Sequence, residues 1–371
     1  MEIEASARGE PKQLTADNQL SHSPVWTPDG REVIFISGQT HSGSLWRIAS
    51  DGSTVPERLS PTGEGFSHLA ISRQGHRLAF TQFNWDVNIW RVEVTGGDGK
   101  AKPPVSLIAS TRLDHTPQYS PDGKRIAFAS YRSGNAEIWV CDSDGLNAVQ
   151  LTSLDGPHAA NPRWSPDGKR IVFDCNQEGQ NEIYVISAQG GKPQRLTLNP
   201  ANDEGEGASW SRNGQWIYFD SRRSGINQVW KLPASGGDPV QVTKNGGCFP
   251  FESIDAKTVY YLKDRKEFTS LWEVPVEGGE ERQVLESVFA ENYAVVPRGI
   301  YFMTAPALKQ HHALGHFTIQ FFGFATGQIT PIASIEKDPV WGFSVSPDER
   351  WILYPQVDQS GSDLMLVENF R

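Results

Sequence analysis

The chain has 371 residues, of which 37% are hydrophobic and 21% charged, a balance that excludes a disordered chain and suits one large repeat fold or two ordinary domains. Its net charge of −10, with acidic and basic residues interspersed, excludes a nucleic-acid reader, which needs clustered Lys and Arg. No run of about 18 apolar residues is present to cross a membrane as a helix. Three cysteines (Cys141, Cys175 and Cys248) lie far apart without a CxxC pair, so no disulfide is demanded. The opening MEIEASARGEPKQLT lacks the apolar centre of a signal peptide.

Taken in chain order, residues 11–16 (PKQLTA) read as a short strand that precedes any repeat. The turn TPDG then ends at Gly30. Equivalent turns end at Gly75, Gly123, Gly168 and Gly214, and degenerate versions end at Ala256, Gly299 and Glu349. These eight anchors recur every 42–50 residues, the period of propeller blades. A short apolar strand follows each anchor, as in EVIFIS, RIAFAS and WILYPQ. A polar loop and a second strand come next, with Trp46, Trp90, Trp139, Tyr184, Trp230 and Trp272 at one shared position. Turn residues and a brief strand such as AVQLTS, PQRLTL or PVQVTK close each unit.

Alternation, β-branched residues and dense turns argue an all-β fold. A four-stranded antiparallel meander cannot bury both faces alone, whereas blades packed radially bury both. The last unit has three strands and lacks a fourth. The expectation is therefore one domain over residues 1–371, an eight-bladed β-propeller closed by strand 11–16 completing the last blade. A seven-bladed ring is the alternative, because the last two units are weakly marked.

The run SPDGKRIAF followed by YRSGNAEIWVCDSDGLNAVQLT resembles the TolB-type, WD40-like propeller repeat of bacterial proteins. The tail VSPDERWILYPQVDQSGSDLMLVENF, with GGDPVQVT and PVEGGEE, resembles the C-terminal propeller of CadC-type winged-helix transcriptional regulators. That resemblance implies a sensing or interaction module, periplasmic if it is the sensor half of a membrane-anchored regulator and otherwise cytoplasmic. Similar repeats occur in dipeptidyl-peptidase-type enzymes, whose hydrolase domain has no counterpart in this sequence.

SPDG needs no chemistry. Pro presets φ, Asp favours the turn, and Gly supplies φ > 0. The chain has no GxSxG elbow, no phosphate loop and no HExxH. The acidic DSDG at Asp142–Gly145 lacks the third acidic ligand and the bidentate Glu of a calcium loop, so it reads as a turn. Cys141, mid-strand beside an aromatic residue, reads as buried and inert. The remaining candidates lie where first strands begin, seven to ten residues before an anchor: His22, His68, His115 and His158, with Glu206 and Cys248 at aligned positions. Imidazole, carboxylate and thiol groups converging on a channel mouth suit a small ligand or a divalent transition metal. They are loosely similar to the histidine-lined channel of oligogalacturonate lyases. The plainer reading is that these histidines serve the repeat. Arg132, Arg222, Arg223, His312 and His316 belong to loops on the same face and mark it as a surface for a protein or small-molecule partner. The expected function is non-catalytic binding, with no cofactor required. The alternative is a metal-dependent lyase or hydrolase acting on a saccharide at the channel mouth.

Overall fold

The computed structural model describes residues 12–15, 21–37, 44–59, 66–94, 102–154, 158–176, 181–197, 207–305 and 317–370. All regular structure among them is strand, and neighbouring strands pair antiparallel in six four-stranded sheets and one larger sheet. No helix of the described residues is long and apolar enough to cross a membrane. The chain divides into two compact units. One comprises residues 1–85 and 359–371, and the other residues 86–358.

In the first unit, Ser21–Trp26, Glu32–Ser37, Ser44–Ala49 and Glu57–Arg58 form one sheet in sequence order. Val33, Phe35 and Ile48 form a small core there, and Leu14 packs against it. Phe66–Ile71 pairs with the start of the long strand Arg77–Glu93.

The second unit holds five sheets that each run in sequence order, opening with Asp114–Tyr119, Ala159–Trp164, Ser209–Trp210, Cys248–Glu252 and Tyr293–Val296. A composite sheet joins them. Its first two strands are Ser344–Val345 and the start of Trp351–Glu368. Its last two are the end of Arg77–Glu93 and Val105–Ile108.

Alternation explains how these sheets stack. Along Arg170–Cys175, Ile171 and Phe173 pack with Ala127, Ala129, Ile138 and Val140 of the preceding sheet, while Val172 faces Trp210, Ile217 and Phe219 of the next. Period-two strands buried on both faces give this pattern. Leu353, Ile89 and Ile108 of the composite sheet share a core with Tyr119, Ile126 and Phe128, so the sixth sheet also packs on the first. The repeated aromatic position lies in these seams: Trp139, Trp230 and Trp90 each pack against such a cluster, and Tyr184 is buried in one.

Among the described residues these pairings do not confirm the closure expected from residues 11–16, of which 11 and 16 lie outside the described residues. Lys12–Thr15 form no strand, and Leu14 is committed to the first sheet. The strand that pairs with Trp351–Glu368 is Arg77–Glu93. The reason lies in length. Both segments are continuous strands of 17 and 18 residues, where the repeat pattern leads one to expect two strands and a turn.

Candidate functional site at the start of the first strands

Seven of the eight described first strands carry the same distortion, in the strand or just ahead of it. Ser23, His68, Thr116, Asn161, Gly207, Phe249 and Gly342 all have positive φ, between 47° and 117°. Each stands seven residues before its anchor turn. In five of these strands the register slips at that point, as between His115 and Gln118 or Cys248 and Phe251. This is a β-bulge, which bends the strand and re-aims the side chains before it. It explains why the histidine spacing drifts. His22 and His115 immediately precede the bulge, His68 occupies it, and His158 lies ahead of its strand.

In the first unit, His22 Nδ1 and Ser23 Oγ lie 3.1 Å apart, and His68 Nδ1 is 2.8 Å from Ser67 Oγ, with the His68 side chain exposed. In the second unit, three rings gather at one spot. His115 and His158 have centroids 6.4 Å apart, and Tyr131 lies 6.3 Å from His115 and 5.9 Å from His158. His115 is only 5% exposed, and neither ring nitrogen has a hydrogen-bond partner. Burial, helped by His158, pushes its pKa down to about 3, so it is a neutral imidazole. Thr116 Oγ1 beside it and both amide atoms of Asn292 are likewise buried without a partner. Unpaired polar groups of this kind are costly to bury, and mark places where water or a ligand belongs.

Deeper along the first strands, Arg163 is 3% exposed. Its Nη1 donates to Pro162 O at 3.0 Å, and its guanidinium lies 5.6 Å from the Phe251 ring. Burial lowers its pKa, and Glu291 and Asp174 oppose that shift. Around it the first strands are stitched together. Trp164 Nε1 donates to Gln118 O, Trp210 Nε1 to Arg163 O, and Ser209 Oγ to Pro250 O.

Other sequence candidates are held by the fold. Arg132 donates to Asp114 Oδ2 at 2.8 Å and stacks over Phe128 and Trp139; Arg223 lies likewise over Phe219 and Trp230. Arg222 Nε donates to Asn227 Oδ1 at 2.8 Å. Cys248 is fully buried, its thiol directed at Leu262 O, and burial raises its pKa well above the ordinary value. Such a thiol is neither a nucleophile nor a ready metal ligand. Glu206, His312 and His316 lie outside the described residues. Among the described residues, no group of three or more His, Cys, Asp and Glu side chains is arranged to hold a metal.

Sequence reasoning missed the threonine that follows three of the outer strands, Val149–Gln150, Gln194–Arg195 and Val240–Gln241. Thr152 Oγ1 donates to Glu137, Thr197 Oγ1 to Glu182 and Thr243 Oγ1 to Gln228. Each hydroxyl in turn accepts a backbone N–H, from Ile138, Ile183 and Val229. The pattern QLT, RLT, QVT, each 13 to 15 residues after a Glu or Gln, carries that signal.

The TolB beta propeller domain family matches residues 85–345, nearly the span of the second unit. Among curated proteins, the Tol-Pal system protein TolB of Anaeromyxobacter sp. is 33% identical over 146 residues, which cover 39% of this chain and 22% of that protein. TolB of Thioalkalivibrio sulfidiphilus is 29% identical over 135 residues, 35% of this chain and 28% of that protein. The match therefore spans less than a third of either relative's length. The solved TolB of Acinetobacter baumannii superposes with a TM-score of 0.51 at 16% identity, covering 90% of this chain and 81% of that one. A chain from a nidogen/laminin complex gives the same TM-score at 9% identity, over 74% of this chain and 99% of that one. Both structural likenesses concern the fold alone. With the repeat, the four-stranded antiparallel sheets and the family match over most of its length, the chain belongs to the TolB β-propeller domain family.

Proposed function

We propose that residues 86–358 form a six-bladed ring that binds an extended segment of a protein partner at the mouth where the first strands begin, without catalysis. Support for the ring comes from the order of first-strand neighbours: Asp114–Tyr119 abuts Ala159–Trp164, and so on around to Ser344–Val345, which abuts Asp114–Tyr119 again. The observation that carries the binding reading is the His115–Tyr131–His158 cluster. It brings three flat rings and the unpartnered ring nitrogens of His115 together, while Arg132, Arg222, Arg223 and Cys248 are engaged by neighbouring groups. Stacking rings with a few unpaired donors and acceptors suits a peptide segment, whose backbone supplies both hydrogen-bonding partners. Membership of the family agrees with a binding or scaffold role, and the curated relatives are named as proteins of the Tol-Pal system.

The test is a photo-crosslinking amino acid placed at Tyr131 and, separately, at Lys124 beside the opposite turn, in the native host. Protein adducts confined to the Tyr131 position are expected. Adducts at neither position, or equally at both, would refute the mouth as the binding face. A role as the effector half of a regulator is a narrower form of this proposal, and it requires winged-helix coding sequence upstream of Met1.

A further inference from the structure

Elsewhere in the second unit, the second and third strands of a sheet are joined by a turn. Two of these turns carry Ser-Gly, at Ser133–Gly134 and Ser224–Gly225. Gly134 and Gly225 have φ of +102° and +101°, and their N–H groups donate to Tyr131 O and Arg222 O. The last repeat carries the same signal: DQSGSDLMLV aligns with YRSGNAEIWV. Here the chain does not turn. Trp351–Glu368 is one strand, and Gly361 is outside the left-handed region.

The consequence is an exposed apolar run. Leu364, Met365, Leu366 and Val367 are 81%, 38%, 57% and 39% exposed. In the aligned strand Glu137, Ile138 and Val140 are at most 5% exposed. Arg77–Glu93 behaves in the complementary way. Its two repeat segments, RLAFTQ and NIWRVE, run straight through Asn84–Asp86, which contains no glycine. The tail of Trp351–Glu368 is held by its backbone ladder to Arg77–Glu93 and by Phe370, which packs on the core of the first unit and whose N–H donates to His76 O, while its side-chain ties are slight. Asn84 donates to Asp363 at 2.8 Å and Arg77 pairs with Glu368 at 3.3 Å, all at exposed positions. Exposed pairs of this kind contribute about 0–1 kcal/mol.

We propose that the chain has a second folded form, in which Ser360–Gly361 turns and Leu364–Val367 pair back on Leu353–Gln356. They take the place now held by the second half of Arg77–Glu93. That strand then turns at Asn84–Asp86, where Asn84 and Asp86 are of types that tolerate the left-handed region. Both forms keep ladders of similar length. They differ in two turns and in the burial of four apolar side chains, the balance that governs exchange of identical elements through a hinge. The repeat count of eight and the observed exchange of strands are then two states of one sequence.

Leu364→Cys in the full chain provides the test, because the three native cysteines are at most 2% exposed and will not compete for a maleimide. Labelling of this variant should be slowed by the turned form. Adding Gly361→Val, whose Cβ meets nothing within 4 Å and which favours extended backbone, should abolish the slowing. Identical labelling with and without Gly361→Val would overturn the proposal. So would a slow fraction that grows with protein concentration, since that would report pairing of this strand with a second copy.

Discussion

Arg125 N–H donates to Ser120 Oγ at 3.0 Å, and Ser120 Oγ–H donates to Asp122 Oδ1 at 2.6 Å. Asp122 also accepts from Lys124 N, and Gly123, at φ +68°, closes the turn. The Ser120 hydroxyl and Asp122 Oδ1 are thus spent on their own turn. These bonds hold the Asp122 carboxyl below the usual carboxylate range. The stabilisation they give is present above the unfolded pKa and fades as pH falls through the lower folded one. Ser120→Ala should cost about 1 kcal/mol in urea unfolding, the worth of one hydrogen bond. It should leave any binding at the mouth unchanged. His115 has the larger pH effect. It stays neutral in the folded state down to about pH 3, whereas an exposed histidine protonates near 6.5. The unfolded chain therefore binds the extra proton between those values, and stability falls as pH falls through that window. His115→Phe should remove about 1–2 kcal/mol of the loss between pH 6.5 and about 5, read as a flatter dependence of the urea midpoint on pH. The turns are legible in the sequence because Pro, Asp and Gly each have one local reason to be there. The fate of His115 is not legible, because its isolation depends on Tyr131 and His158, which reach it from a loop and from another sheet.

Within single sheets, two devices recur. One is the threonine that follows an outer strand and satisfies both a buried Glu or Gln and a backbone N–H. Thr197→Val keeps the shape but removes the hydroxyl's bonds to Glu182 Oε2 and to the Ile183 amide, leaving Glu182 to Arg195. The expected cost is about 2–3 kcal/mol in equilibrium unfolding, more than β-propensity explains. The other is the arginine of the loop between second and third strands. Arg132 is 21% exposed, while the Asp114 carboxyl it binds is fully buried. Removing Arg132 leaves an uncompensated charge, so Arg132→Met should lower stability by roughly 3 kcal/mol, and Asp114→Asn in the same chain should restore part of it. A residue serving only a partner would show neither effect. The strands themselves are legible from alternation and from the repeated Trp. The bulge is not, because Thr116, Asn161 and Phe249 share no side-chain feature that announces a left-handed backbone. The long strands are not legible either, since Ser360–Gly361 carries the same turn signal that is obeyed at Ser133–Gly134.

Over the whole molecule, the clearest solution property is thiol silence. Cys141, Cys175 and Cys248 are all buried, and burial pushes the Cys141 thiol up to about 12. The folded protein should show no reaction with a thiol reagent at neutral pH and three equivalents in denaturant. Early reaction of one thiol would mean that its sheet opens separately. The family-level fold was legible from periodicity alone. How the blades are shared out was not, because eight similar anchors say nothing about which strand completes which sheet.

The composite sheet has a genetic consequence. The second unit begins at Asp86 and ends at Asp358, and Asn88 Nδ2 lies 2.9 Å from Asp358 Oδ2. The first unit's sequence is interrupted between Trp85 and Gln359 and nowhere else. In coding terms the second unit is a cassette read in and out through neighbouring positions, the arrangement that lets one gene segment be spliced into another without disturbing either reading of the chain.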